Sequence, residues 1–242
     1  MTTVSVIQSN YIPWKGYFDI INDSQLFIFH DDLQYTKNDW RNRNKIKVNN
    51  GTKWLSIPVG SREDRLINEV ELPATKWAMQ HWNDIKMAYS KAPYFNQYKD
   101  FFEHVYLDTK WKKLSELNQF LIKHISTEFL GIKAEFINSS EFNLSSRKLD
   151  KLLDLLKKVD AKEYISGPAA KDYIDDSRFN EAGIKLVYKD YTGYPEYSQF
   201  HPPFEHYVSI IDLLFHTGSD SAYFIWGWRE DTNCNLIETI YT

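Results

Sequence analysis

The chain has 242 residues, 43% of them hydrophobic and 26% charged, with a formal net charge of −4. That is enough material for one globular core. The acidic balance excludes a dedicated nucleic-acid surface, which needs a clustered excess of lysine and arginine.

A single cysteine, Cys234, excludes an internal disulfide and suits a reducing compartment. It has no Cys/His pattern around it to mark a nucleophile. Met1-Thr2-Thr3-Val4-Ser5-Val6-Ile7 lacks the basic start of a signal peptide, and no run reaches the ~18 apolar residues of a membrane span. The expectation is a cytoplasmic protein without membrane insertion. The aromatic content of 16% can supply stacking surfaces for sugars or nucleobases, but is read chiefly as codon bias, since Asn, Lys, Ile, Tyr and Phe are all abundant.

Residues 4–7 form a short apolar run and read as a buried strand. Pro13 suits the first turn of a helix, where its missing N–H costs nothing. Trp14, Tyr17, Phe18 and Ile21 give that helix its stripe, which ends near Asn22-Asp23. A second apolar run at 26–29 stops at His30-Asp31-Asp32. The three segments make a βαβ unit with parallel strands. Residues 43–48 and 53–59 flank Asn49-Asn50-Gly51 as a hairpin, and 67–72 reads as an added edge strand.

From about 75 to 131 the period turns helical. Ala78, Trp82, Ile85 and Tyr89 share a face, Pro93 opens a second helix, and Leu114, Leu117, Leu121 and Ile125 define a third, stopped by Gly131. No Gly/Ser/Pro linker flanks this stretch, so it reads as a helical insert within one domain spanning 1–242. The α/β rhythm then returns. A strand at 134–137 precedes a helix through Leu149, Leu152, Leu153, Leu156 and Val159. Then come a strand ending at Tyr164-Ile165, a helix to Ala182, a strand at 184–188 and a last apolar helix at 208–215. The fold class is α/β, a Rossmann-like and mostly parallel sheet with a helical insert and a β-hairpin.

In such a sheet, ligands bind beyond the C-terminal ends of the strands. The first strand–helix turn supplies Gln8, Asn10, Tyr11, Trp14 and Tyr17, and the second strand delivers His30, Asp31 and Asp32 to the same edge. Neighbouring carboxylates can deprotonate an amine, hold sugar hydroxyls or bind Mg²⁺. They can equally cap a turn, and side-chain alternation lets only one of the two face a cleft easily. Trp40-Arg41-Asn42-Arg43-Asn44-Lys45 suits phosphate or carboxylate recognition. A second strand–turn–helix point is Ile165-Ser166-Gly167-Pro168-Ala169-Ala170-Lys171-Asp172, where small residues allow close backbone approach and Lys171 can meet an anion. His201 and His206 have no metal-ligand spacing, and no metal site is expected.

These segments, taken with Asp31-Asp32-Leu33-Gln34-Tyr35, Ser56-Ile57-Pro58-Val59, Tyr194-Pro195-Glu196-Tyr197, Phe204 and Ser209-Ile210-Ile211-Asp212-Leu213-Leu214-Phe215, closely resemble the WbqC-like family. The resemblance runs in order over nearly the whole chain. It implies a bacterial protein of surface-polysaccharide or O-antigen assembly. Two positions depart from the pattern: Ser9 stands where proline is usual, which predicts a looser turn, and His30 is not a regular family residue. A more distant similarity links Trp14-Lys15-Gly16-Tyr17 to the His-x-Gly-His position of nucleotidyltransferases and pantothenate synthetases, with both histidines lost. Ile165-Ser166-Gly167 and Lys171 resemble their phosphate loop.

The resemblance and the residues together suggest an acyl- or aminoacyltransferase forming an amide on a nucleotide-linked amino sugar. Asp31 or Asp32, with His30 beside them, would take the proton. Arg41, Arg43 and Lys171 would hold the diphosphate, and Tyr11, Trp14 or Tyr17 would stack on base or sugar. Gln8, Asn10, Gln34, Trp40, Asn42, Asn44, Ser166 and Pro168 complete the binding set, with an oxyanion held near Gly167. No resident cofactor is named. The donor would be an acyl or aminoacyl group on a carrier such as an acyl-carrier protein. The alternatives are a nucleotide-dependent ligase or nucleotidyltransferase, the one reading that calls for Mg²⁺, and a non-catalytic module that holds a carrier protein or glycan precursor. All of them need the two turns to open on one cavity.

Overall fold

The computed structural model describes residues 2–172 and 174–230; Cys234 lies outside them. In chain order the elements are β1 (Thr3–Ile7), α1 (Lys15–Asn22), β2 (Leu26–Phe29), the hairpin strands β3 (Arg43–Val48) and β4 (Gly51–Ser56), and the helices α2 (Trp77–Tyr89), α3 (Phe95–Glu103) and α4 (Leu114–His124). There follow β5 (Glu135–Asn138), α5 (Lys148–Lys158), β6 (Glu163–Ser166), α6 (Asp176–Glu181), β7 (Lys185–Tyr188) and α7 (Ile210–Thr217). Five strands form one parallel sheet in the order β5-β2-β1-β6-β7, and the hairpin pairs on its own.

The sheet strands are short apolar runs because both faces are covered, as parallel sheets require. In β2, Phe27 and Phe29 join a large apolar cluster with α1, α2, α3, α4 and α7. Ile28 points the other way, into a smaller cluster with Val4, Val6, Leu153 and Leu156 of α5 and Phe179 of α6. That split is the period of two of a strand made visible. The helices between 77 and 124 therefore share one continuous core with α1 and α7. Gly131, at φ +68, ends this helical layer in the left-handed conformation that glycine accepts without strain.

The chain moves outward from β1 to β2 to β5, then returns through α5 to β6 on the other side of β1. The reversal between β1 and β6 leaves α1 and α5 on opposite faces. Their divergence opens the crevice where ligands of open α/β sheets bind.

Three expected elements differ. Residues 67–72 form no edge strand; Ile67–Glu69 is a single 3-10 turn. Ile67 N–H bonds the Leu33 carbonyl at 2.9 Å and Asn68 N–H the Asp31 carbonyl at 2.9 Å, so the segment lies across the tip of β2 and buries Ile67 and Val70. Apolar residues three apart fit that turn as well as a strand end. Second, β4 starts at Gly51 and stops at Ser56, with the Ile57 N–H turning to the Asn42 carbonyl at 2.8 Å. Third, the helix expected up to Ala182 is split into a 3-10 turn, Pro168–Asp172, and α6, which Asp175 caps through its carboxylate.

One buried charge cluster ties the C-terminal part to α1. Asp19, fully buried, accepts from Lys189 Nζ at 2.8 Å, from both terminal nitrogens of Arg229 at 2.9 and 2.6 Å, and from the Tyr194 hydroxyl.

Candidate functional site

The turn after β1 is held under strain. Ile12 has φ +37, a region β-branched residues rarely enter. The Asn44 amide, from β3, keeps it there by donating to the carbonyls of Tyr11 at 3.2 Å and Ile12 at 2.9 Å. Arg41 donates to Gln8 Oε1 at 2.9 Å and to Asn10 Oδ1. Ser9 N–H donates to Asp31 Oδ1 at 2.7 Å. A proline at position 9 could not make that bond, so the turn expected to be looser is pinned to β2.

The three titratable groups past β2 point in different directions. Asp31 is buried, and its second oxygen accepts from Gln119 Nε2 of α4 at 2.8 Å. Burial raises its pKa, and the bonds from Gln119 and Ser9 offset this in part. Asp32 pairs with Lys151 of α5 at 2.6 Å and accepts from Ser139 Oγ. Burial works against its charge, but the bonds from Lys151 and Ser139 outweigh it and hold the carboxyl below its ordinary value. The two carboxylates thus have separate partners and offer no shared cation site. Among the described residues no group of three or more His, Cys, Asp or Glu is placed to hold a metal.

His30 lies beside Asp32. Its Nε2 is buried without a hydrogen bond, 3.8 Å from Asp32 Oδ1. Burial lowers its pKa to about 4, with the Lys151 charge acting in the same direction and Asp32 opposing. The ring is therefore neutral at pH 7. It lines a crevice of about 470 Å³ at the β1/β6 reversal, together with Gln8 and Lys148. The apolar walls are Val6, Leu33, Leu149, Leu152, Tyr164 and Ile174. Gln8 Nε2 forms no hydrogen bond among the described residues, because Arg41 takes the oxygen end of the amide.

A second cavity of about 430 Å³ opens beside the same turn. Asn10, Pro13 and Trp14 meet Trp40, Asn44 and Lys45 there, and Glu205 and Tyr207, whose ring contacts Trp14 at 5.2 Å, complete the lining. Trp14 is braced edge-on by Tyr191 and Tyr194 at centroid distances of 5.1 and 6.1 Å. Lys15 is buried behind it over the rings of Tyr194, Tyr197 and Phe204, and burial lowers its pKa to about 8.

The tips of β2 and β6 flank β1 on one sheet edge, so the two predicted turn regions adjoin. Only part of the predicted set reaches a cavity. Gln8 and His30 line the crevice; Asn10, Trp14, Trp40 and Asn44 line the second cavity. Tyr11 is core, its hydroxyl bonded to His81 Nδ1 at 2.9 Å and Tyr106 at 2.6 Å. Tyr17 is buried against Phe18 and Phe27 and donates to the Gln8 carbonyl at 3.0 Å. Neither ring is open to stack on a ligand. Gln34 is exposed and bridges to Leu66, away from both cavities. Asn42 donates to the Ile57 carbonyl, and Arg43 lies over the Trp54 ring at 4.4 Å. Ser166 is buried at the end of β6, Gly167 is half-buried, Pro168 is exposed, and Lys171 lies over Tyr188 of β7 at 5.1 Å. The turn's contribution to the crevice comes through Ile174 instead.

Sequence reasoning missed Lys148, Leu149 and Leu152, whose helical spacing reads as ordinary core, and Glu205 and Tyr207, whose stretch carries no ligand motif. Gly16 carried a usable signal, being a glycine inside the first turn of a helix. A Cβ there would meet Trp14 Cη2 at 2.6 Å. Gly16→Ala is expected to displace the Trp14 indole at a cost of roughly 1–3 kcal/mol. A lowered melting temperature and an altered tryptophan emission would show it; unchanged values of both would refute it.

The buried neutral histidines also set an acid limit. His30 and His81 each have a folded pKa near 4 against 6.5 in the unfolded chain. Between those values only the unfolded chain takes up the proton, so stability falls as pH drops from 6.5 to 4, by on the order of 3 kcal/mol per histidine. Asp31, whose carboxyl burial raises, acts in the opposite sense as pH falls toward its ordinary carboxylate value. Urea titrations across pH 4–7 should give a shallower slope for His30→Gln than for the parent; an identical slope would contradict it.

Among the described residues no helix is long and apolar enough to cross a membrane. No solved structure matches the chain. An uncharacterized protein of Mycobacterium tuberculosis (strain ATCC 25618 / H37Rv), Rv1507c, is 41% identical over 223 residues, covering 91% of this chain and 96% of the relative. The family model for the WbqC-like protein family matches residues 8–223, which include the turn after β1, the second cavity, the first crevice apart from Val6, and α7. The chain belongs to the WbqC-like protein family.

Proposed function

We propose that the protein transfers an acyl or aminoacyl group from a carrier thioester to the amine of a nucleotide-linked amino sugar in bacterial surface-polysaccharide assembly. The observation that carries this reading is the buried, unpartnered Nε2 of neutral His30 in an apolar crevice at the sheet reversal. The neutral imidazole offers a free lone pair for a proton in transit, and an unpartnered buried nitrogen calls for a bond from a ligand. The apolar walls suit an acyl chain, and the exposed Lys148 at the mouth suits an anionic carrier arm.

In this mechanism the neutral amine attacks the thioester carbonyl. The new C–N bond forms as the carbonyl electrons move onto oxygen, which accepts a hydrogen bond from Gln8 Nε2. Arg41 orients that amide by holding its oxygen. His30 Nε2 takes the proton lost by nitrogen and returns it to the departing thiolate as the C–S bond breaks. Asp32 faces the ring and favours the transient imidazolium. Asp31 holds the turn through Ser9 and Gln119, so the base assigned to the acidic pair becomes His30. Arg43 and Lys171, engaged over aromatic rings, are given no part in holding diphosphate.

Incubating the protein with nucleotide-linked amino sugars and a panel of acyl and aminoacyl thioesters should yield an amide, read as a mass increase with release of free thiol. Absence of product across the panel would overturn the proposal. A ligase using Mg²⁺ is less well supported, because Asp31 and Asp32 turn to different partners.

A further inference from the structure

We infer that the cavity between Trp14, Trp40 and Tyr207 is a carbohydrate subsite that takes one pyranose ring. At about 430 Å³ it falls within the size of small-molecule sites. Trp40 and Tyr207 are 42% and 61% exposed and share one cavity lining with Trp14, so their faces are open to a ligand. The walls are preorganised. Trp14 is wedged on Gly16 and braced by Tyr191 and Tyr194, while Trp40 rests against Trp54 at 5.5 Å. Arg43 and Lys45 already sit over the Trp54 ring, which leaves Trp40 as the open platform.

The rings are set as facets. Of the lining rings, Trp14 and Tyr207 meet at 41°. A flat nucleobase is best served by parallel faces, whereas a puckered sugar presents a C–H patch to one facet and its hydroxyls to the rim. Polar groups suited to hydroxyls are in place. The Asn10 amide nitrogen is free to donate, since Arg41 holds its oxygen. Glu205 spends one carboxylate oxygen on Tyr207 N–H at 2.9 Å and keeps the other for a ligand. Lys45 supplies a further donor. A lipid chain would leave these groups unpaired, which disfavours it.

Under the transfer reading this is the acceptor subsite, and that role rests on the reading; the sugar binding itself does not involve His30. The test is titration of the full chain with glucosamine and N-acetylglucosamine, followed by tryptophan fluorescence and saturation-transfer NMR, with uridine monophosphate as a base-bearing probe. Saturable binding of a sugar is expected. Trp40→Ala and Tyr207→Ala should each weaken it roughly tenfold, and Glu205→Gln less. Absence of saturable sugar binding, sugar binding indifferent to both aromatic replacements, or uridine monophosphate binding that they abolish while sugars fail to bind, would each overturn the assignment. Sugar binding with no amide formation would sink the transfer reading and leave the subsite standing.

Discussion

Substituting His30 by alanine is expected to slow amide formation by roughly 10²–10⁴-fold, the range of a positioned general base. The loss should fall on kcat and leave acceptor KM nearly unchanged, because the ring meets the reacting nitrogen and not the rest of the sugar. Asp32→Asn should cost less. It weakens support for the charged imidazole while leaving the base in place. Circular dichroism serves as the control, since the fold should not change in His30→Ala. If that variant retains more than a tenth of the parent kcat, the base is another group and the mechanism given above is wrong.

The largest effect on stability is expected at Asp19. Its carboxylate is fully buried and neutralises Lys189 and Arg229 together. Asp19→Asn keeps the volume but removes the charge. Asp23, which also pairs with Lys189, is then the remaining carboxylate of the cluster. Breaking a buried pair from one side costs roughly 3–5 kcal/mol, equivalent to a fall of roughly 6–20 °C in melting temperature for a domain of this size. Calorimetry would measure it. A change below about 1 kcal/mol would mean that Asp23 and solvent already satisfy both cations.

The sheet was legible because its signals are local. Residues 26–29 were read at their observed bounds, since a strand buried on both faces is a short apolar run that ends abruptly. The helices from 77 to 124 followed from their period, and the hairpin from Asn49-Asn50-Gly51. Residues 67–72 misled because Ile67, Val70 and Leu72 fit a strand and a turn equally well, and only the carbonyls at β2's tip decide between them. The sheet edge that carries the site followed from topology, but the partners on it did not. Gln119 reaches Asp31 across 88 positions, and Glu205 and Tyr207 share a cavity with Asn10, Pro13 and Trp14 of the first turn. Nothing in the local pattern around either end encodes such a contact. Tyr11 and Tyr17 were misassigned for the converse reason: a tyrosine whose hydroxyl finds a buried partner is core, and sequence alone does not reveal the partner.

The left-handed backbone of Ile12 changes how the hairpin should be regarded. A β-branched residue held there stores about 1–3 kcal/mol of local strain, and the brake on its release is an amide that belongs to β3. The hairpin is thus a clamp on the first turn, set outside the main sheet yet governing its geometry. A shortened chain without that clamp would let residue 12 relax to negative φ, and the indole two positions later would swing out of the platform it now forms.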